Sequence, residues 1–408
     1  ETVRLEIAGD VESLSELEES ASAGRNYTLA QRFKGVVNTL MSRDLLGFLA
    51  NHNVIPKYGF PVDTVALRTE FGTGASEGKK LELSRDLSQA IHEYAPNATV
   101  VAGGHLWESA GVYRLPGREL VEFKYRVCEH CGKFTQSLTD LTDACSVCGR
   151  LPTTAQRTFI VPEFGFVADP EPKRPGSRPP QSAWSGATHV VSLSEDSTES
   201  MLTLPGGSIE VSVGPRGRLV ALSDGPGGRG YRVCDWCGWA QSMQKGKAPR
   251  THRHLIRTGR DCNGPLRWLD LAHSFETDLL SLDIRLDRDV ANLAAWKSVL
   301  YAVLEAASTR LQIARDDIGG TLRPTGLSSW SLVLYDTVPG GGGNVLRIAD
   351  RLEDVMGAAL QRVQHCECGS ETSCYGCLRG YRNQRDHDVL SRGAAAEMLQ
   401  SLGVTSRL

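Results

Sequence analysis

His365-Cys366-Glu367-Cys368-Gly369-Ser370-Glu371-Thr372-Ser373-Cys374-Tyr375-Gly376-Cys377 places four thiols within twelve residues, with one, five and two residues between them. Side chains this close reach one tetrahedral ion, so a zinc site is the economical reading. Four clustered thiolates also suit an iron–sulfur centre.

The other seven cysteines follow from that reading. Cys128 and Cys131 form one CxxC, and Cys145 and Cys148 form a second after a thirteen-residue interval. Two such knuckles present four sulfurs to one metal, the pattern of a zinc ribbon. Cys234 and Cys237 make a third knuckle with only Cys262 left to join them, so the fourth ligand must be a different residue type. His254 or His252 is the candidate. All eleven cysteines are then used in three zinc sites, about three ions per chain. The opening of the chain shows no secretory signal, which favours a reducing, cytoplasmic compartment over disulfide chemistry.

With 408 residues the chain is long enough for two or three domains with real cores. Its 45 basic and 48 acidic side chains leave a net charge of −3, so any polyanion partner must be recognised by local patches. No apolar run approaches the ~20 residues that span a bilayer. The chain begins at Glu1 in an acidic segment without an initiator Met, and either a piece of a longer polypeptide or a separate subunit is expected.

Periodicity predicts helices over 27–51, 84–94, 290–311, 345–363 (capped by Asn344) and 393–402. It predicts strands over 62–67, 98–101 (short and buried), 120–127, 274–286 and 330–335, an apolar run over 158–167, and antiparallel strands through 186–222. A glycine, serine and lysine loop is expected at 72–80. The five prolines between 169 and 180 read as a linker or surface loop. The expected organisation is a helical and mixed segment at 1–110, a first ribbon with flanking strands at 111–170, a β-rich segment with the second ribbon at 184–270, and a C-terminal zinc module at 271–408. The fold class is an α/β (α+β) multi-part assembly with inserted zinc ribbons and a C-terminal four-cysteine zinc module.

Two basic clusters are candidates for nucleic acid. Lys245, Lys247, Arg250, Arg253, Arg257 and Arg260 lie inside the second ribbon beside Trp236 and Trp239, with no acid between Asp235 and Asp261. Cations neutralise phosphates and indoles stack on bases. Arg379, Arg382 and Arg385 follow the last cluster, where fixed guanidiniums suit phosphate recognition. The run Pro339-Gly340-Gly341-Gly342-Gly343 resembles a phosphate cradle but lacks the following Lys-Ser/Thr, so a tight turn is expected instead. Glu276 and Asp278 share a strand face and, with Asp336, are the carboxylates a metal-dependent nuclease would use. GxxxxGK[ST] and a DEAD- or DEAH-type box are absent, so this chain has no ATPase of its own in view.

From Leu334-Tyr335-Asp336-Thr337-Val338-Pro339 through the glycines, then Cys366-Glu367-Cys368 and Thr372-Ser373-Cys374-Tyr375-Gly376-Cys377-Leu378-Arg379 to Tyr381-Arg382-Asn383-Gln384, the chain resembles the MrfA-like zinc-binding domain. That module closes many large superfamily-two helicases and occurs in anti-phage systems such as DISARM, with a comparable long helicase in Druantia. Asn51-His52-Asn53-Val54-Ile55-Pro56-Lys57-Tyr58-Gly59-Phe60-Pro61-Val62-Asp63 is similar to what precedes the module in those helicases. The resemblance implies that Cys366, Cys368, Cys374 and Cys377 bind one zinc beside an ATP-driven DNA translocase. The expected function is a non-catalytic, DNA-binding C-terminal region or subunit of a bacterial helicase in phage defence or DNA repair. Its expected partners are DNA, a helicase motor in cis or in trans, and nuclease or methyltransferase defence subunits, with no membrane. A scaffold docking a helicase or nuclease is the alternative, and a metal-dependent nuclease a second one.

Overall fold

The computed structural model describes residues 63–71, 81–115, 120–176, 187–243, 249–257, 259–286 and 292–405, together with helical positions scattered between 15 and 37. The 51–62 segment, the 72–80 loop and most of the 27–51 helical stretch lie outside the described residues. The chain divides into two units, Glu1–Asp63 and Thr64–Leu408. In the first, the described positions from Ser15 to Ala23 are helical.

The second unit opens with β1 (Thr64–Arg68), β2 (Ser84–Asp86), helix α1 (Leu87–Glu93), the hairpin β3 (Thr99–Ala102) and β4 (His105–Val112), then β5 (Glu122–Val127), β6 (Phe134–Ser137), β7 (Arg157–Ile160) and β8 (Phe166–Ala168). Five of these form a sheet in the order β2-β1-β8-β4-β3. The helix expected from residue 84 starts only at Leu87, because the Asp86 carboxylate accepts the Ser88 amide at 2.8 Å and caps it there, leaving Ser84–Asp86 to pair with β1. The strand expected to be buried at 98–101 is a sheet edge with Val101 47% exposed. The apolar run at 158–167 is two strands, split where Gly165 turns at φ +82° with its Cα packed against the backbone of Ala66. In the proline-rich stretch, the Lys173 backbone pairs with Leu106 and its ammonium reaches Glu108 at 2.9 Å, so this part of it is pinned to β4.

The chain continues through β9 (Thr188–Ser192), β10 (Thr198–Leu204), β11 (Gly207–Ser223), β12 (Tyr231–Cys234), β13 (Ala240–Ser242), β14 (His252–Arg253), β15 (Asp261–Cys262) and β16 (Leu266–Leu286). Then come α2 (Leu293–Leu311), β17 (Ile318–Pro324), β18 (Trp330–Asp336), α3 (Asn344–Asp350), α4 (Leu352–Gln364) and α5 (Arg392–Ser401). The 21-residue β16 is the spine of an 11-stranded sheet, pairing antiparallel with β11, β12 and β18 and parallel with β7. Strands from 111–170, 184–270 and 271–408 all join that sheet, and the architecture is mixed α/β. Over one face pack α2, α4 and α5. Val299, Val303, Val355, Val363 and Leu399 meet Leu280, Leu282, Leu332 and Leu334 of the strands in the main core. Each such buried side chain contributes ~1.5–3 kcal/mol. α2 forms because its alanine- and leucine-rich stretch is capped by Asn292, whose Oδ1 accepts the Ala294 amide, and it ends where Gln312 turns left-handed at φ +53°.

The helix expected over 345–363 is two helices, broken at Arg351 (φ −121°, ψ 26°), and Asn344 does not cap it. The Asp336 carboxylate does so from β18, accepting the amides of Gly342 at 2.5 Å, Asn344 at 3.0 Å and Val345 at 3.2 Å. Asp278 of β16 accepts the Gly343 amide at 3.2 Å and lies against Gly341 so closely that a Cβ there would overlap it. Replacing the fully buried Asp336 by Ala strands three amides at a helix start and is expected to cost ~2–3 kcal/mol. Chemical denaturation of the variant measures this; a change below ~0.5 kcal/mol would show that the turn holds without the carboxylate.

Candidate metal centres

Three ligand sets assemble: Cys128, Cys131, Cys145 and Cys148; Cys234, Cys237, His252 and Cys262; Cys366, Cys368, Cys374 and Cys377. Within each, all ligand atoms lie within 4.8 Å of one another. A tetrahedral zinc with Zn–S of ~2.3 Å places its sulfurs about 3.8 Å apart. The separations fit: 3.7 Å for Cys128–Cys148, 3.8 Å for Cys234–Cys262, and 3.5 to 3.8 Å among the last four sulfurs. Cys237 Sγ to His252 Nε2 is 3.4 Å, the shorter edge that an imidazole ligand requires. All eleven cysteines are free thiols. A polynuclear iron–sulfur cluster would set metal and sulfide between the cysteine sulfurs and spread them beyond these direct contacts. Zinc is the metal these donors fit, about three ions per chain.

The ribbon knuckles share one backbone design. In Cys128-Glu129-His130-Cys131-Gly132-Lys133, the Gly132 amide bonds the Cys128 carbonyl and the Cys128 amide bonds that of Lys133. Cys145 with Gly149 and Arg150, and Cys234 with Gly238 and Trp239, repeat it. Each glycine sits at positive φ (81°, 69° and 77°), where a side chain would be strained. The glycine after the second cysteine was therefore a readable signal of knuckle geometry. The C-terminal Cys374–Cys377 turn has no such glycine and closes helically, with the Leu378 and Arg379 amides on the Cys374 carbonyl.

Each centre contains one thiol predisposed to ionise. The Cys237 thiol and backbone amides bring Cys234 down to about 4 against its burial, and the Cys368 amide brings Cys366 to about 7. Burial pushes Cys145 up, but the amides of Cys148 and Val147 outweigh it and hold it at about 7. Zinc binds the thiolate, so these positions start closest to their liganded state.

Of the two histidine candidates, the fold brings His252 to the sulfurs. β14 pairs with β15 so that His252 stands directly opposite Cys262, and cross-strand partners share a face. His254 lies beyond the ladder, where its Nδ1 accepts the amides of Ile256 and Arg257 and shapes the hairpin tip. Trp239 stacks on His252 with ring centres 4.7 Å apart, which makes it part of the wall of the centre.

The basic candidates divide in the same way. Arg250, Arg257 and Arg260 are exposed, and Arg253 reaches Glu171 at 3.3 Å. Lys245 and Lys247 lie outside the described residues. Arg379 is turned inward to Ser373, Thr372 and the His387 carbonyl, bracing the four-cysteine loop. His387 bonds Asn383 and the Gly380 carbonyl and stays apart from the metal set. Arg382 and Arg385 line a cleft of about 640 Å³ between the first knuckle, α2 and the turn after the last cysteine. Tyr381 of the same turn joins them there, as do Lys297 and Arg315, which no motif in the sequence singles out. The proposed nuclease carboxylates Asp278 and Asp336 serve the glycine turn, and burial raises both carboxyls above the ordinary range. Among the described residues no metal-like group contains a carboxylate. The turn's amides at Gly342, Gly343, Asn344 and Val345 point to these aspartates, as a tight turn requires.

Residues 299–378 match the family model of the MrfA Zn-binding domain, a span that runs from within α2 past Cys377 and encloses every ligand of the third centre. This chain carries an MrfA-like zinc-binding domain. The Druantia protein DruE of Escherichia coli (strain UMEA 4076-1) is 27% identical over 439 aligned positions, covering 97% of this chain and 23% of that protein. The chain thus spans about a quarter of the length of the curated relative it matches. Among solved structures, the DUF1998 helicase MrfA bound to DNA aligns at a TM-score of 0.35 and 11% identity over 83% of this chain and 33% of that one. MrfA alone aligns at 0.29 and 11% over 80% and 34%. No helix among the described residues is long and apolar enough to cross a membrane.

Proposed function

We propose that this chain is the non-catalytic, zinc-stabilised DNA-binding region or subunit of a bacterial superfamily-two helicase or translocase, acting in anti-phage defence or DNA repair in the cytoplasm. The MrfA-like domain at 299–378, in a chain that aligns almost throughout with a quarter of a Druantia protein, carries this reading. The motor works beside it, in cis or in trans. The three zinc centres give rigidity to knuckles and loops that have little core of their own. Arg250, Arg257 and Arg260, exposed on the second ribbon, supply cations for a phosphate backbone, and Arg382, Arg385, Arg315 and Lys297 around one cleft add to them only by exchanging their contacts to Asp316, Asp386 and Glu305. A docking scaffold is the second reading, favoured by Arg253 and Arg379 being engaged within the protein.

The test is binding of labelled single- and double-stranded DNA across a salt series, with zinc measured on the same sample. Affinity falling by about 10³-fold or more between 50 and 200 mM salt, as for a protein contacting six or more phosphates, is the expected result. About three zinc per chain with no DNA binding at low salt would overturn it in favour of the scaffold.

A further inference from the structure

The second ribbon leaves two tryptophans in solvent. Trp236, inside the Cys234–Cys237 knuckle, is 66% exposed, and Trp268, on β16 just beyond the ribbon, is 64% exposed. Trp239 in the same knuckle is instead packed on a metal ligand, so exposure is not a general property of aromatics here. Arg232 and Cys234 alternate onto one face of β12, and their register partners Trp268 and Leu266 share that face of β16. The Arg232 guanidinium lies 5.9 Å from the Trp268 ring centre. Trp236 covers Gly264, where an added Cβ would press on its ring and on Cys234 Sγ. Gly264 and Trp268 are four residues apart on an extended segment, roughly 13 Å, a gap that an unpaired strand bridges in a few nucleotides.

Along the sequence from Arg229 to Trp268, nine lysines and arginines stand against two acids, Asp235 and Asp261. Glu122 also approaches, held by Arg267 at 2.9 Å. Asp235 is already held by Arg267 at 2.7 Å and Arg114 at 3.8 Å. A ligand matching flat apolar rings beside guanidiniums must offer flat apolar groups on an anionic backbone. That is the chemistry of unpaired bases, whose faces a duplex keeps stacked on each other.

We infer that Trp236 and Trp268 form a base-stacking platform for single-stranded nucleic acid, with Arg232 gripping the strand at Trp268. The platform lies outside the 299–378 family match. It rests on the DNA-binding reading above and narrows that reading to an unpaired strand at the second ribbon.

The test titrates the full chain with oligothymidylate and with a duplex of equal length, following indole fluorescence, and measures zinc on every variant. Oligothymidylate should quench the fluorescence and bind more tightly than the duplex. Trp268→Ala and Trp236→Ala should each weaken oligothymidylate binding about tenfold, the loss of one stacked base, while Trp268→Phe retains most of it. Should Trp236→Ala lose zinc, Trp236→Phe and the Trp268 pair still decide, since Trp268 is no ligand. Oligothymidylate binding that is salt-dependent but unchanged in Trp268→Ala and Trp236→Ala would overturn the platform and leave DNA binding by the arginines standing. No binding of either nucleic acid by the unmodified chain would overturn both.

Discussion

Replacing Cys377 by Ser is expected to cost the protein one of its about three zinc ions and to unfold the region around α4 and α5. Cys377 and Leu378 are wholly buried in the main core. The loop they end holds two helices together. Arg362 of α4 donates to the Cys377 carbonyl at 3.0 Å, and Arg392 of α5 donates to the carbonyls of Cys368 at 2.6 Å and Val363 at 3.0 Å. The amides of Arg392 and Gly393 bond Thr372 and Ser370 in the same loop. Zinc contributes ~10–16 kcal/mol of apparent binding energy in finger-type sites, comparable with the whole stability of an ordinary domain at ~5–15 kcal/mol. Losing it leaves the loop with few apolar side chains of its own to hold the helices. The check is zinc stoichiometry with limited proteolysis between 365 and 391. Cys377→Ser with undiminished zinc and an unchanged melting temperature would mean that the loop is not held by metal.

Arg157→Ala is expected to destabilise the larger unit by ~3–5 kcal/mol, because it leaves a buried carboxylate without its counter-ion. Asp270 on β16 is 2% exposed and receives Arg157 through Nη2 at 2.6 Å and Nε at 2.9 Å, with the Tyr125 hydroxyl donating at 2.7 Å. Burial raises the Asp270 carboxyl above its ordinary range even with Arg157 pulling against it, so removal of the guanidinium favours the protonated form further. The same arginine donates to the Gly228 carbonyl, tying β7 to the loop that enters the second ribbon. Arg157→Met with Asp270→Leu should recover most of the loss, since apolar residues of similar volume replace a buried pair at little cost. A denaturant midpoint unchanged in Arg157→Ala alone would show that water, not the arginine, satisfies Asp270.

Cysteine spacing made the three metal centres readable before any fold was known, because ligand spacing is local and the sulfurs must converge. Helical periodicity gave α2 within a few residues, since its buried face is carried by its own sequence. What escaped were features set by partners distant in the chain. Asp336 caps α3 from another strand, so Asn344 looked like the cap. His252 is distinguished from His254 only by standing opposite Cys262 in a two-strand ladder. Trp239 and Arg379 have the composition of nucleic-acid contacts, yet one packs on a ligand and the other braces a metal loop. Trp268 falls just beyond the ribbon and ahead of the alternation at 274–286, in the part of β16 that only its pairing with β12 defines.

The register of β11 on β16 bears on how quickly this chain can fold. Gly207 pairs with Leu286 and Ser223 with Leu271, and the whole second ribbon lies in the loop between. Pairings so distant in sequence are slow, because loop entropy is lost before the ladder returns any contact. Zinc joining Cys234 to Cys262 draws the ends of that loop together early and roughly halves the length still to be closed. Metal loading at the second centre ahead of the central ladder is expected to speed folding, and Cys262→Ser, which leaves the other two centres intact, should refold roughly threefold more slowly or worse, the rate equivalent of doubling the loop. Equal refolding rates for this variant and the unmodified chain would show that the ladder forms first and the ribbon is threaded afterwards.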